Sequence, residues 1–148
     1  MPQSEITVEY LVQEINLTGI SFYSLHSERS LSPAVGDGED IAIEPDYDLR
    51  VQPRNDGRGF RVLLDTIINA PVGTISCGVA ADYHHPEIAL DDSWRPALAE
   101  FVNGVSLMHI LPFTRQGIAD LTQRTFDSPL IMPIIRRGEL EFSVTPTP

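Results

Sequence analysis

The stretch "FRVLLDTIINAPVGTISCGVAADY", Phe60 to Tyr83, decides the fold. Its first part, Phe60–Asn69, is apolar and rich in β-branched residues, as a central strand requires. Its last part alternates. Ile75, Cys77, Val79, Ala81 and Tyr83 fall on one face, with Ser76, Gly78, Ala80 and Asp82 on the other. That period of two is the signature of a strand with unlike faces. Between them "APVG" turns the chain. Strands joined by so short a turn run antiparallel, because a parallel pair needs a crossover of a dozen or more residues.

The pattern extends outward. Upstream, Tyr47, Leu49 and Val51 alternate with Asp48 and Arg50, which marks a half-buried strand. Asp56-Gly57 in "RNDGRG" supplies the hairpin turn into Phe60. Before them lies "SLSPAVGDGED", a loop by composition. The segment "EITVEYLVQEINLTGISFYSLHSER" is expected to be extended, with Ile6, Val8 and Tyr10 alternating and Ile20, Phe22 and Leu25 following Gly19. About four strands result.

Downstream the signals turn helical. Ser93 suits an N-cap, and "WRPALAEFVNG" fits a short helix ending near Gly104. A second helix is expected to open at Pro112, because a first helical position loses nothing through proline's missing N–H. Phe113, Ile118 and Leu121 form its apolar stripe, with Gln116, Asp120, Gln123 and Arg124 opposite. Strands first and helices after give the α+β class, a four-stranded antiparallel sheet backed by a long helix. Pro129 and Pro133 forbid a helix in "SPLIMPII". Its Leu130, Ile131, Met132, Ile134 and Ile135 either close an irregular edge of the core or line a groove.

Length and composition bound the function. The chain has 148 residues, is 42% hydrophobic and carries a net charge of −11, which argues for a single domain over 1–148 with a real core. All ten basic residues are arginine, against 21 acidic ones. So acidic a surface repels phosphate backbones and anionic lipid, so neither nucleic acid nor membrane is expected as a partner. One cysteine, Cys77, cannot form an internal disulfide. The polar start "MPQSEITVEY" lacks a leader's basic and apolar regions, and no run approaches 18 apolar residues, so a cytoplasmic protein is expected.

No catalytic constellation emerges, and no metal or cofactor site. His84 and His85 are neighbours, so on a strand their rings point to opposite faces, and a solvated turn before Pro86 is the expected role. "GDGED" lacks the glutamate and spacing of a calcium loop. Cys77 reads as a small core residue. Asp65, inside an apolar strand, is expected to face solvent or an interface.

"ILPFTRQGIADLTQRTF" resembles the signature helix of the SecB family of bacterial export chaperones through Ile110, Leu111, Pro112, Phe113, Arg115, Ile118, Leu121, Arg124 and Phe126. "GISFYS" is similar to the family's first-strand motif through Ile20, Ser21 and Phe22. "FRVLLDTIIN" with "TISCGVAADY" is similar to its central hairpin. The resemblance implies ATP-independent capture of unfolded polypeptides in apolar grooves, in the service of protein export. Matched by position, the groove uses Phe22, Ile41, Ile43, Leu130, Met132 and Ile134. It also implies a homotetramer, a dimer of dimers, with Phe113, Ile118 and Leu121 at the helical interface. Two departures stand out. "RRGELEFSVTPTP" is too short and proline-rich for the family's C-terminal lid helix. The family's acidic contacts to the export motor SecA fall on Gly19, Tyr23 and Gly78, which bring no charge. A weak, salt-sensitive SecA contact is therefore expected. SecB-like chaperones dedicated to an antitoxin are the nearer alternative, and a small enzyme a distant one.

Overall fold

The structure, a computed structural model, describes residues 7–31, 44–87, 89 and 92–142. A short helix α1 (Val8–Glu14) leads into four strands: β1 (Asn16–Arg29), β2 (Asp46–Pro53), β3 (Gly59–Ala70) and β4 (Gly73–His84). They form one antiparallel sheet in the order β1-β4-β3-β2. The expected central hairpin is β3–β4, paired from Gly59↔His84 to Ala70↔Gly73. Helix α2 (Arg95–Phe101), a π-turn (Val102–Ser106) and helix α3 (Leu107–Phe126) then run on continuously.

The alternation in β4 is what seats the helix. Ile75, Cys77, Val79, Ala81 and Tyr83 are all buried and join Val62, Leu64 and Ile68 of β3 and Leu107, Ile110 and Ile118 of α3 in one core. Gly117 lets α3 approach closely. A Cβ there would stand 2.8 Å from Phe22 Cε1 and 3.0 Å from Cys77 Sγ. By length and apolarity the Arg95–Phe126 helix could cross a bilayer, but half of its most apolar window is buried inside the fold.

Expectations for three stretches need correction. Residues 8–14 are a helix, not a strand. Thr7 caps it by accepting the Tyr10 N–H at 3.2 Å, and Leu11 is wholly buried. Val8, Leu11 and Ile15 have helical spacing, and docking on α2 selects it over the competing alternation. Second, Pro112 lies inside α3. Its missing bond and steric cost of about 3 kcal/mol are offset by burial of Leu107, Ile110 and Leu111 around it, each worth roughly 1.5–3 kcal/mol. The helix does not end near Gly104 either, but passes through it in the π-turn. Third, His85 is buried rather than solvated. Its Nδ1 accepts the Glu87 N–H at 3.0 Å, so in the neutral ring Nε2–H donates to Tyr10 Oη at 3.1 Å. The Trp94 ring meets it edge-on.

Candidate client-binding surface

Strand β1 carries consecutive aromatics to opposite faces of the sheet. The register against β4 slips between Phe22 and Ser24, a bulge at Tyr23. By the ordinary alternation of a strand Phe22 points toward α3 and Tyr23 away from it. The Phe22 ring lies 6.2 Å from that of Phe113. Beyond the bulge Leu25 returns to the helix side, its Cδ2 3.4 Å from where a Gly117 Cβ would be. Leu17, Phe22 and Leu25 stay 41%, 37% and 49% exposed, although they face the core side. β1 is an edge strand, and α3 does not cover its full width. Half-buried Phe113, Leu121 and Phe126 continue the band along α3. The result is an apolar strip where helix and sheet edge meet.

After α3 the chain reverses at Asp127, which takes the left-handed conformation (φ 62°) common just past helix ends. It then runs back along the helix. Thr122 Oγ1 accepts the Leu130 N–H at 2.7 Å, and Arg115 Nε–H donates to the Met132 carbonyl at 3.0 Å. Asn103 accepts the Phe142 N–H at 2.7 Å and donates to the Phe142 carbonyl at 2.9 Å. This strap, residues 128–142, has no regular secondary structure.

The expected groove and interface residues separate accordingly. Phe22 and Phe113, assigned to different surfaces on the sequence, are in contact and belong to one strip. Leu130 is half-buried, and Ile134 is 72% exposed. Met132 is a core residue, 4% exposed, because the strap turns it inward against α3. Ile118 is wholly buried within the protomer, so it presents no side-chain surface to a second copy. Phe113 and Leu121 do. Ile41 and Ile43 lie outside the described residues.

The sheet's other face carries a polar network that sequence reading missed. Tyr23 Oη–H donates to Asp65 Oδ1, and Arg50 donates to Asp65 Oδ2 at 3.2 Å and to Tyr23 Oη at 3.3 Å. The Tyr23 ring lies over Gly78, where a Cβ would come within 2.6 Å of its Cζ. One residue from each strand thus takes part. Burial and the Asp65 hydrogen bond push the Tyr23 hydroxyl up to about 12. Asp65 is therefore a tied structural carboxylate. Nearby, Arg61 and Asp82 pair at 2.6 Å. The positions matched to acidic motor contacts thus hold an exposed Gly19, a hydrogen-bonded Tyr23 and a buried Gly78. The signals in the sequence were Asp65 inside an apolar strand and a glycine at an outward position of a central strand.

Burial, with the nearby Asp65 charge, pushes the Cys77 thiol up to about 11, the reverse of an activated nucleophile. Among the described residues no three His, Cys, Asp or Glu side chains are grouped to hold a metal.

This fold is that of the SecB-like chaperones. Among solved structures it matches the Mycobacterium tuberculosis SecB-like chaperone Rv1957, in complex with a ChAD peptide from the HigA1 antitoxin. The TM-score is 0.68 at 16% identity, over 86% of this chain and 92% of that one. A Streptococcus agalactiae protein of unknown function matches at TM-score 0.49 and 10% identity, over 82% of this chain and 98% of that one. No family model matches the sequence, and no curated protein does.

Proposed function

We propose that this protein is an ATP-independent holdase that binds extended, unfolded polypeptide on the strip formed by β1 and α3. The observation that carries this reading is the exposure of Leu17, Phe22 and Leu25 on the core side of an edge strand, continuous with Phe113 and Leu121. Contiguous apolar surface marks an interaction site. A binding energy can be bounded. Three such side chains, already more than half covered, contribute roughly 2–4 kcal/mol when the rest of their surface is buried, and association costs at least about 4. One protomer then holds a segment weakly. Several strips on one client chain raise apparent affinity by about 10²–10⁴, which favours a tetramer.

The same reading keeps the strip for clients and takes the outer edge of β1 as a surface through which copies assemble, in the cytoplasm, without nucleic acid, membrane or cofactor. The SecA contact is expected to be weak and lost at physiological salt, since Tyr23 is tied to Asp65 and Gly19 and Gly78 carry no charge. A dedicated antitoxin client is the second reading, favoured by the antitoxin peptide in the Mycobacterium tuberculosis neighbour.

The test is suppression of aggregation of several chemically denatured proteins. Phe22→Asp combined with Leu25→Asp should weaken suppression at least tenfold in required concentration, with the circular dichroism of the native chain retained. A folded double variant that protects as well as the parent removes the strip from the reading. Protection of one antitoxin and of no unrelated protein selects the second reading.

A further inference from the structure

The strap is bound to the helix in an unusual way. Its hydrogen bonds to Thr122, Arg115 and Asn103 all involve its own main chain: the Leu130 N–H, the Met132 carbonyl, and both groups of Phe142. Backbone groups are the same in every polypeptide. Three helix side chains therefore hold this segment without reading its sequence. What they add is direction and extension, because the anchors span about 28 Å of helix, from residue 103 to 122 at 1.5 Å per residue. The apolar contacts are equally general: Met132 buried, Leu130, Ile135, Leu140 and Phe142 partly so, with Ile131 and Ile134 facing out.

Arg115 and Thr122 mark the track. Leu111 and Ile118 lie one turn before each, on the same helical face, and both are buried. The face therefore has a bound-peptide geometry: an apolar floor with polar side chains that satisfy an extended backbone. A segment so held, outside any helix or ladder, belongs to the part of a fold that opens most readily.

We infer that the strap is a displaceable internal occupant of a second peptide site, and that Asn103, Arg115 and Thr122 are the residues of that site that bind a client's main chain. The occupant that replaces the strap is an extended, predominantly apolar segment of an unfolded polypeptide. The inference rests on the holdase reading for what the client is, and on the strap itself for how it is held. Exchange couples capture to opening: a client must compete with a tethered segment, so weak or strongly charged segments are rejected.

The test uses the full chain and a synthetic peptide of the strap's own sequence, residues 127–142, labelled for fluorescence anisotropy. Leu130→Pro combined with Phe142→Pro removes the two N–H groups given to Thr122 and Asn103 and leaves all three helix side chains intact. This released chain should bind the peptide at least tenfold more tightly than the parent. A second chain locks the strap through Ala99→Cys and Glu141→Cys, which line one cavity of about 350 Å³ between helix and strap and are joined across it by a short disulfide-containing bismaleimide. Buried Cys77 stays out of the reaction. Cross-linked, this chain should not bind the peptide, and reduction should restore binding. Equal binding by parent and locked chains, or none by any chain, overturns the inference, and the lock decides the matter even where the proline variant does not fold. Aggregation assays separate the two proposals. Peptide exchange without protection of any denatured protein retains the strap site and ends the holdase reading. Equal protection by locked and reduced chains does the opposite.

Discussion

Phe22 and Tyr23 are neighbours on one strand, and each lies on a glycine. Phe22 reaches Gly117 of α3 on the covered face, and Tyr23 crosses Gly78 of β4 on the other. The clashes a methyl group would cause are similar, 2.8 Å on one side and 2.6 Å on the other. The surroundings differ. Behind Phe22 stand Cys77 Sγ, at 3.0 Å from the same point, and the packed core. Behind Tyr23, itself 40% exposed, is water. A close contact is costly only where the neighbour has nowhere to go.

The contrast between the two faces is open to experiment. Gly117→Val should destabilise the chain by about 2–3 kcal/mol despite removing a helix glycine, because overpacking against Cys77 cannot relax. Denaturant melts with an unchanged m-value would report it. A loss below about 0.5 kcal/mol would mean that α3 can lift from the sheet.

The second prediction sets the two faces against each other by alkaline titration. Burial pushes the Tyr83 hydroxyl up to about 12. A group whose pKa is raised on folding contributes fully below its ordinary value near 10, and that stability is lost as pH rises toward 12. Since the chain has no lysine, little besides its four tyrosines titrates there. Tyr83→Phe should remove about 2 kcal/mol of the decline between pH 10 and 12. Tyr23→Phe should remove much less, because solvent screens the exposed ring. Thermal melts across that range measure both, and equal effects would contradict the contrast.

The smallest effect is expected at Gly78→Ala. Tyr23 swings into solvent, giving up its bond to Asp65, while the strand gains about 0.5–1 kcal/mol from losing a glycine. The net change should stay within about 0.5 kcal/mol. Its mark is the tyrosine titration, which should fall from about 12 toward 10 as the ring's burial and the Asp65 hydrogen bond are lost.

Much of the sheet was legible because its information is local. A period of two over residues 75–83 specifies which side of β4 meets a core, and Asp56-Gly57 and "APVG" specify how its neighbours return. The same locality misled at Val8–Glu14, where a helical and an alternating reading both fit and only docking on α2 separates them. It also misled at Pro112, where the penalty is local and the burial that offsets it is not. Among site residues, Phe22 and Phe113 were visible as apolar positions. That they form a single strip was not, because their contact joins a strand and a helix that are far apart in the chain.

Alternation and turn chemistry act over a few bonds, so the strands, their antiparallel sense and the apolar inventory are all written in the order of residues. Which apolar residues remain available is settled by packing alone. Met132 and Ile134 are two positions apart in one extended segment, yet one is core and the other 72% exposed. The cause is a helix that meets the strap on one side only, through Thr122, Arg115 and Asn103. Such contacts join residues distant in the chain, and no local pattern encodes them.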